Sequence, residues 1–370
     1  MRFTINREQL LKGLNIAMKA VDPKSALPHL TNVKMSLNNK GLELTGINSH
    51  LTIRTTIPYM IGDDTIISNY KYGDTLANCR LFVEVIRHME GTNVNIELID
   101  SSILKIEDEK SNFKLNAISA KEFPEINLSL NGEQLELPTQ DLVDLVEQTA
   151  FAAAAKHAIL TAINLDCHDG ILTATATDTA RLARKKVQVD SSVRFVANIQ
   201  AKNLLEIVRS FEGANTVTVV VMDKRVLFAF DNTIISTTLT NGDYPNTKNI
   251  FPRVFNHTLE VNSKELLATM ERVSLLSAER DGVVKLVMTE DEVELFSRNS
   301  TVGSANEKIQ TFQYTGERLE ISFRASFVTD AIRAVRSEDV TISFVGEMKP
   351  FVVKSCSDDT VDMLVTPLRS

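Results

Sequence analysis

Glycine and proline are scarce in this chain, at 14 and 9 of 370 residues. With 43% hydrophobic and 24% charged residues, that excludes a disordered or fibrous protein. Cysteine is rarer still. Cys79, Cys167 and Cys356 are odd in number and widely spaced, so no disulfide framework is expected. Buried free thiols in a reducing, cytoplasmic compartment are expected instead. No stretch approaches the ~18 apolar residues of a membrane span. The N-terminal MRFTINREQLLKGL carries charge throughout, unlike a signal peptide. Positive charge is also short. A net charge of −8 does not suggest nucleic-acid binding in bulk, because phosphate neutralisation needs local Lys and Arg. An acidic whole still leaves room for a local basic surface.

Motifs that carry chemistry are missing too. The chain has no G-x-G-x-x-G and no G-x-x-x-x-G-K-[ST], so no standard phosphate cradle. It has no C-x-x-C and no histidine pair at ligand spacing. No cofactor, metal or catalytic residue is expected. Cys167, His168 and Asp169 look like a nucleophile set, but neighbours on a strand point to opposite faces, which defeats a hydrogen-bonded relay. A strand end before Gly170 is expected there. The stretch ATDTARLARKK, residues 176–186, suits a catalytic loop, a nucleic-acid patch or a docking surface. Asp178 within it has no partner carboxylate or histidine at recognisable spacing, and is expected to bond its own turn.

What the chain does have is repetition. NREQLLKGLNIAMKAV, TQDLVDLVEQTAFAAA and NSKELLATMERVSLLSA each show apolar residues at helical spacing behind a capping residue, taken as Asn6, Thr139 and Ser263. Each is followed by an alternating, hairpin-like stretch: GLELTGINSHLTIRTTI, GILTATATDTARLARKKV and DEVELFSRNSTVGSANEKI. A second half-unit recurs behind them, with helices in 79–91, 201–213 and 324–339 and two or three strands after each. Gly91 and Gly213 stand where helix C-caps are wanted. The expectation is three similar α+β domains, 1–126, 127–253 and 254–370, with boundaries at the proline-bearing stretches 121–134 and 243–256. The six helical stretches 6–20, 80–90, 139–156, 201–212, 263–280 and 324–336 are less acidic than the remainder. A nucleic-acid-facing helix layer and a plainly solvated helix face both account for that.

The segments MRFTINREQLLKGL, ALPHLTNV, GLELTGINS, AKEFP, ATDTARLA, DYPN and VTPLRS resemble, in order and spacing over essentially the whole chain, those of the bacterial sliding clamps, the β subunits of DNA polymerase III. The resemblance implies three repeated clamp domains per chain and a head-to-tail homodimer closed into a ring, helices inside and sheets outside. A closed ring leaves no free strand edge at the seam. It implies a non-enzymatic processivity factor on duplex DNA, without sequence readout. Basic residues reaching phosphate would be Lys12, Lys19, Lys24, Arg80, Arg87, Lys202, Arg209, Lys264, Arg272, Arg333 and Arg336. It implies a pocket for short Gln/Leu/Phe-containing peptides of the replicative polymerase, the clamp loader and other partners. That pocket would use Leu160, Thr177, Thr179, Arg181, Leu182, Pro245, Ile250, Leu364, Thr366, Pro367 and Leu368, with Arg324, Phe327 and Met348 as a second half. The dimer seam would use Phe113 and, from the neighbour, Leu275 and Leu276. Thr179-Ala180, Asn249 and His157-Ala158 depart from the commoner family pattern and bear on peptide preference. Two other readings stay open: an enzyme built on Cys167-His168-Asp169, and an interaction scaffold that never encircles DNA.

Overall fold

In the computed structural model every residue is described except 212, 278–281 and 369–370. One motif is written six times. A strand runs straight into a helix, and three strands follow. The strand–helix joins are Arg2–Asn6 into Arg7–Met18, Gly73–Asn78 into Cys79–His88, and Glu133–Pro138 into Thr139–Glu147. Phe195–Gln200 into Ala201–Val208, His257–Asn262 into Ser263–Ser274, and Leu319–Arg324 into Ala325–Val335 complete the set. The strand before each helix was not expected from the sequence, because it is short and, at Asn6, Asn78 and Asn262, its last residue is spent at the helix cap.

The caps differ from expectation in two of three cases. Asn6 accepts from the Gln9 N–H at 3.1 Å, as expected. Asn78 does the same for Leu81 at 3.0 Å. In the third domain the cap is Asn262 and not Ser263; its side chain accepts from Lys264 and Glu265. Thr139 is already helical, and its hydroxyl donates to Ala214 O at 2.6 Å. Neither glycine acts as a simple C-cap. Gly91 approaches the Asp108 side chain so closely that a Cβ would lie 2.9 Å from it, and its N–H donates to that carboxylate. Gly213 does adopt φ +81°, but five residues beyond the end of its helix.

The helices are shorter than the periodicity suggested. The stretch expected over 139–156 stops at Glu147, and the alanine run continues as a single 3-10 turn, Ala150–Ala152. Alanine favours helix locally but offers little side chain to bury. The Thr149 hydroxyl instead donates to Leu145 O at 2.6 Å, and Gln148 reaches Ala334 O at 2.9 Å. The stretch expected over 263–280 ends at Ser274, and 278–280 lie outside the described residues. So does the last residue of the stretch expected over 201–212.

The chain divides into two units. The first comprises 1–139 and 206–239, and the second 140–205 and 240–370. The first unit contains a 13-stranded sheet, in which Thr233–Thr238 pairs antiparallel with Leu51–Ile57. Helices Arg7–Met18 and Cys79–His88 pack together on the core of Phe3, Leu10, Leu14, Leu44 and Phe82. Each such buried side chain contributes about 1.5–3 kcal/mol. The second unit contains a nine-stranded sheet, in which Arg181–Gln188 pairs with Val361–Val365, and a four-stranded sheet ending in Gly303–Lys308. Helices Ser263–Ser274 and Ala325–Val335 lie side by side there. Cys79 and Cys167 are buried free thiols, whereas Cys356 is exposed, contrary to expectation. Among the described residues no helix is long and apolar enough to cross a membrane.

Candidate functional site

The hairpin at 176–186 is closed by its own side chains. Asp178 accepts the Ala180 and Arg181 N–H groups on one carboxylate oxygen, at 3.0 and 2.9 Å. That is the expected turn role. The Thr177 hydroxyl donates to Arg181 O at 2.6 Å and accepts from the Thr179 N–H at 3.1 Å. Thr179 sits at φ +79° to make the turn. The end of the chain then lies alongside. Thr366 donates to Ala180 O from both its N–H and its hydroxyl, at 2.9 and 2.8 Å, and the Leu368 N–H donates to Ser322 O.

Strand alternation sends the expected docking residues to two faces. Leu182, 2% exposed, lies directly opposite Leu364 and clusters with it, Val352, Phe251 and Phe255. Arg181 points the other way, onto helix Ala325–Val335. There its guanidinium meets Asp330 at 2.7 Å and Asp178 at 3.1 Å. It also lies over the Phe327 and Phe151 rings, at 4.6 and 5.3 Å. Arg324 stacks on the same Phe327 at 4.9 Å. Leu160 and Thr177 are buried, Thr366, Pro367 and Leu368 are half-buried, and Ile250 and Met348 are 46% and 53% exposed. The structure thus joins Leu182 to Leu364, and Arg181 to Arg324 through Phe327.

A cleft of about 580 Å³ opens beside the hairpin. The sheet residues Asn164, Thr175 and Arg184 floor it and the segment Asp243–Lys248 forms its lip. Of the expected docking residues only Pro245 lines it. The Arg184 guanidinium donates to Thr247 O and Oγ1, at 2.8 and 2.9 Å, and lies 4.7 Å from the Phe251 ring centre. Burial pushes the Arg184 pKa down, against the pull of Asp362. The Tyr244 hydroxyl accepts from the Thr177 N–H at 3.1 Å, and burial raises its pKa to about 12. Tyr244, Phe251, Phe255, Phe151 and Asp330 were not anticipated. The signal for three of them was present: aromatic residues spaced through an otherwise polar connection, DYPNTKNIFPRVFN.

Cys167, His168 and Asp169 turn to three different partners. The Cys167 thiol donates to Val193 O at 3.4 Å, His168 faces Asp166 at 3.1 Å, and Asp169 pairs with Arg194 at 2.5 Å. Burial and the Asp166 charge raise the thiol pKa. That geometry supports no nucleophilic relay.

The basic residues fall into two classes. Arg87 pairs with Glu84, Arg209 with Glu206, Arg272 with Glu307, Arg333 with Glu271, and Arg336 with Asp144 and Glu147. Lys19 donates to Arg209 O and the Ser210 hydroxyl. Lys12, Lys24, Arg80, Lys202 and Lys264 are exposed and make no ion pair among the described residues. Phe113 and Leu275 are exposed apolar side chains, Leu275 at 79%. Phe113 lies on strand Asn112–Ile118, which on its outer side pairs only Ala117 and Ile118. Among the described residues its outer backbone edge over 112–116 pairs with no strand.

The DNA polymerase III beta subunit family models match the chain from end to end. The N-terminal domain matches 1–128, the central domain 136–246 and the C-terminal domain 248–369. The chain is 32% identical to the beta sliding clamp of Halalkalibacterium halodurans and 30% identical to that of Bacillus subtilis, each over the full length of both proteins. The crystal structure of the DNA polymerase sliding clamp from Bacillus subtilis superposes with a TM-score of 0.95 at 30% identity, covering 100% of this chain and 99% of that one.

Proposed function

The chain belongs to the DNA polymerase III beta subunit, or beta sliding clamp, family, and on that basis we propose that it works as a cytoplasmic homodimeric ring around duplex DNA. It is a DNA polymerase processivity factor and not an enzyme. Its domains in this reading are 1–126, 127–253 and 254–370.

One observation carries the ring. Each half of the central domain continues a neighbour's sheet, through Thr233–Thr238 on one side and Arg181–Gln188 on the other. Those joins pair the third strands of four of the six motifs; among the described residues the third strands left without such a partner are the strand at 112–116 and the strand Gly303–Lys308. Unpaired edges invite pairing. Joining one edge to the other of a second copy is a head-to-tail contact that closes after two chains. Phe113 would meet Leu275 and Leu276 of the neighbour there, burying the exposed Phe113 and Leu275 and completing the burial of the half-buried Leu276.

DNA contact in this reading rests first on the free cations Lys12, Lys24, Arg80, Lys202 and Lys264. The ion-paired arginines and Lys19 contribute less, because each must give up a partner first. The peptide-docking surface lies where Thr366–Leu368 meet the 177–182 hairpin, with the Leu182–Leu364 cluster as apolar floor. Ile250 and Met348 form exposed flanks, and Arg181, Arg324 and Phe327 brace the far side. Leu160, Thr177, Thr179 and Pro245 complete it. A tethered polymerase rebinds intramolecularly, so a weak peptide contact suffices.

The test is topological. The protein is loaded onto nicked circular DNA with a clamp loader, the complex is isolated, and the DNA is cut once. Retention on the circle with rapid loss from the linear form is expected. Equal retention on both would mean side-on binding and would overturn the ring.

A further inference from the structure

The sixfold motif makes an equivalence of three sheet faces. In the first domain a cross-strand rung runs Lys34, Thr45, Arg54. By register the second domain's rung is Asn164, Thr175, Arg184, and the third's is Lys285, Phe296, Asn306. Each rung floors a cleft on the same side of its sheet, of about 440, 580 and 700 Å³ in turn.

The first two clefts are crossed by the chain itself. Phe123-Pro124-Glu125 lines the first, five residues past the end of strand Asn112–Ile118. Tyr244-Pro245-Asn246 lines the second, six residues past the end of strand Thr233–Thr238. Cations of the floor reach up to these segments: Lys34 lies 5.6 Å from the Phe123 ring, and Arg184 bonds Thr247 and stacks on Phe251. The third cleft, the largest of the three, is lined among the described residues by the sheet and by Arg318 just before strand Leu319–Arg324, with Val283, Val287 and Phe296 half-buried across its floor.

Charge identifies what fits there. The first floor sets Lys34 and Arg54 against Glu43, and the crossing segment brings Glu125. The third floor sets Lys285, Arg298 and Arg318 against Glu294 and Glu320. Lys285 and Arg318 both lie against Glu320, and Lys308 serves Glu294. Arg298 is exposed and has no ion pair among the described residues. We propose that the third cleft is a second peptide-docking site, distinct from the Leu182–Leu364 surface, for an extended aromatic–proline–acidic segment of a partner protein. The aromatic ring lies against Phe296 and the acidic residue meets Arg298. Proline keeps such a segment extended and lowers the ordering cost of binding.

The chain's own crossing segment supplies the probe: a fluorescein-labelled Phe-Pro-Glu-Ile-Asn-Leu peptide, titrated with the full-length protein by fluorescence anisotropy without DNA. Saturable binding below about 1 mM is expected. Phe296→Ala should weaken it at least about fivefold, the loss of one aromatic contact. Arg298→Ala, an exposed position that leaves folding alone, should abolish the preference for the Glu peptide over its Gln counterpart. Ile250→Glu, an exposed position on the flank of the other surface that does not line this cleft, should change nothing. No saturation, or equal binding to both variants, would overturn the proposal. So would loss of binding in Ile250→Glu, which would put the peptide on the other surface and leave that reading standing.

Discussion

Replacing Arg181 by alanine separates bracing from ligand contact. The side chain is 14% exposed and holds Asp178 and Asp330 at once, between two aromatic rings. Deleting one member of a fully buried pair costs about 3–5 kcal/mol, because the other charge is stranded. Here the stranding is partial. Asp178 keeps its two backbone donors, and Asp330, 35% exposed, regains water. About 1–2 kcal/mol then remains for the ion pairs. The lost ring contacts add about 1 kcal/mol. A total of about 2–3 kcal/mol, in a unit of about 200 residues, lowers Tm by about 4–12 °C. Arg181→Lys keeps the charge but loses the planar fork and the stacking, so it should recover less than half of this. Denaturant unfolding of the single variants, Asp330→Ala and the double variant should return a coupling of about 1 kcal/mol. An Arg181→Ala protein with unchanged Tm and lost peptide affinity would refute the reasoning and make Arg181 a ligand contact.

Four further outcomes follow from the same geometry. Removal of residues 367–370 should weaken a docking peptide at least about tenfold while sedimentation still shows a dimer; unchanged affinity would remove the C-terminal segment from the docking surface. Lys12→Glu, Lys202→Glu and Lys264→Glu should each weaken binding to short linear duplex DNA, where topology holds nothing, and lower its salt slope by about one. Arg272→Ala, whose side chain is held by Glu307, should do so far less, and an equal effect would show that ion pairing does not sort these residues. Phe113→Arg or Leu275→Glu should shift the chain towards monomer by sedimentation; an unaltered dimer would exclude both from the seam. The Tyr244 pKa is raised by burial to about 12 from the ordinary 10.0. Its contribution to stability is therefore complete below pH 10 and is lost as pH rises towards 12. Tyr59 in the other unit shifts likewise, mainly by burial, so the readout is the difference between wild type and Tyr244→Phe. That variant should lose part of the alkaline dependence and about 1 kcal/mol at neutral pH, from the unsatisfied Thr177 N–H; superimposable profiles would exclude the assignment.

The repeats were legible because each helix writes its own period and each hairpin alternates, and both signals are local. The joins between domains were not. Leu51–Ile57 meets Thr233–Thr238 across some 180 residues of chain, and nothing in either strand names its partner. Capping was half legible for a related reason. Asn262 and Ser263 are both good caps, and only the strand that ends at Asn262 decides between them. The candidate site turns on a rule already needed for Cys167, His168 and Asp169: neighbours on a strand face opposite ways. Arg181 and Leu182 obey it as well, so the sheet itself separates the guanidinium from the apolar floor. A ligand that uses both must wrap the start of strand Arg181–Gln188. Thr366 is bonded to Ala180 at that start, and Leu368 is held to Ser322 two residues further along the chain. The C-terminal segment therefore lies at the point such a ligand must cross. The docking surface stands or falls on those residues more than on either buried cluster.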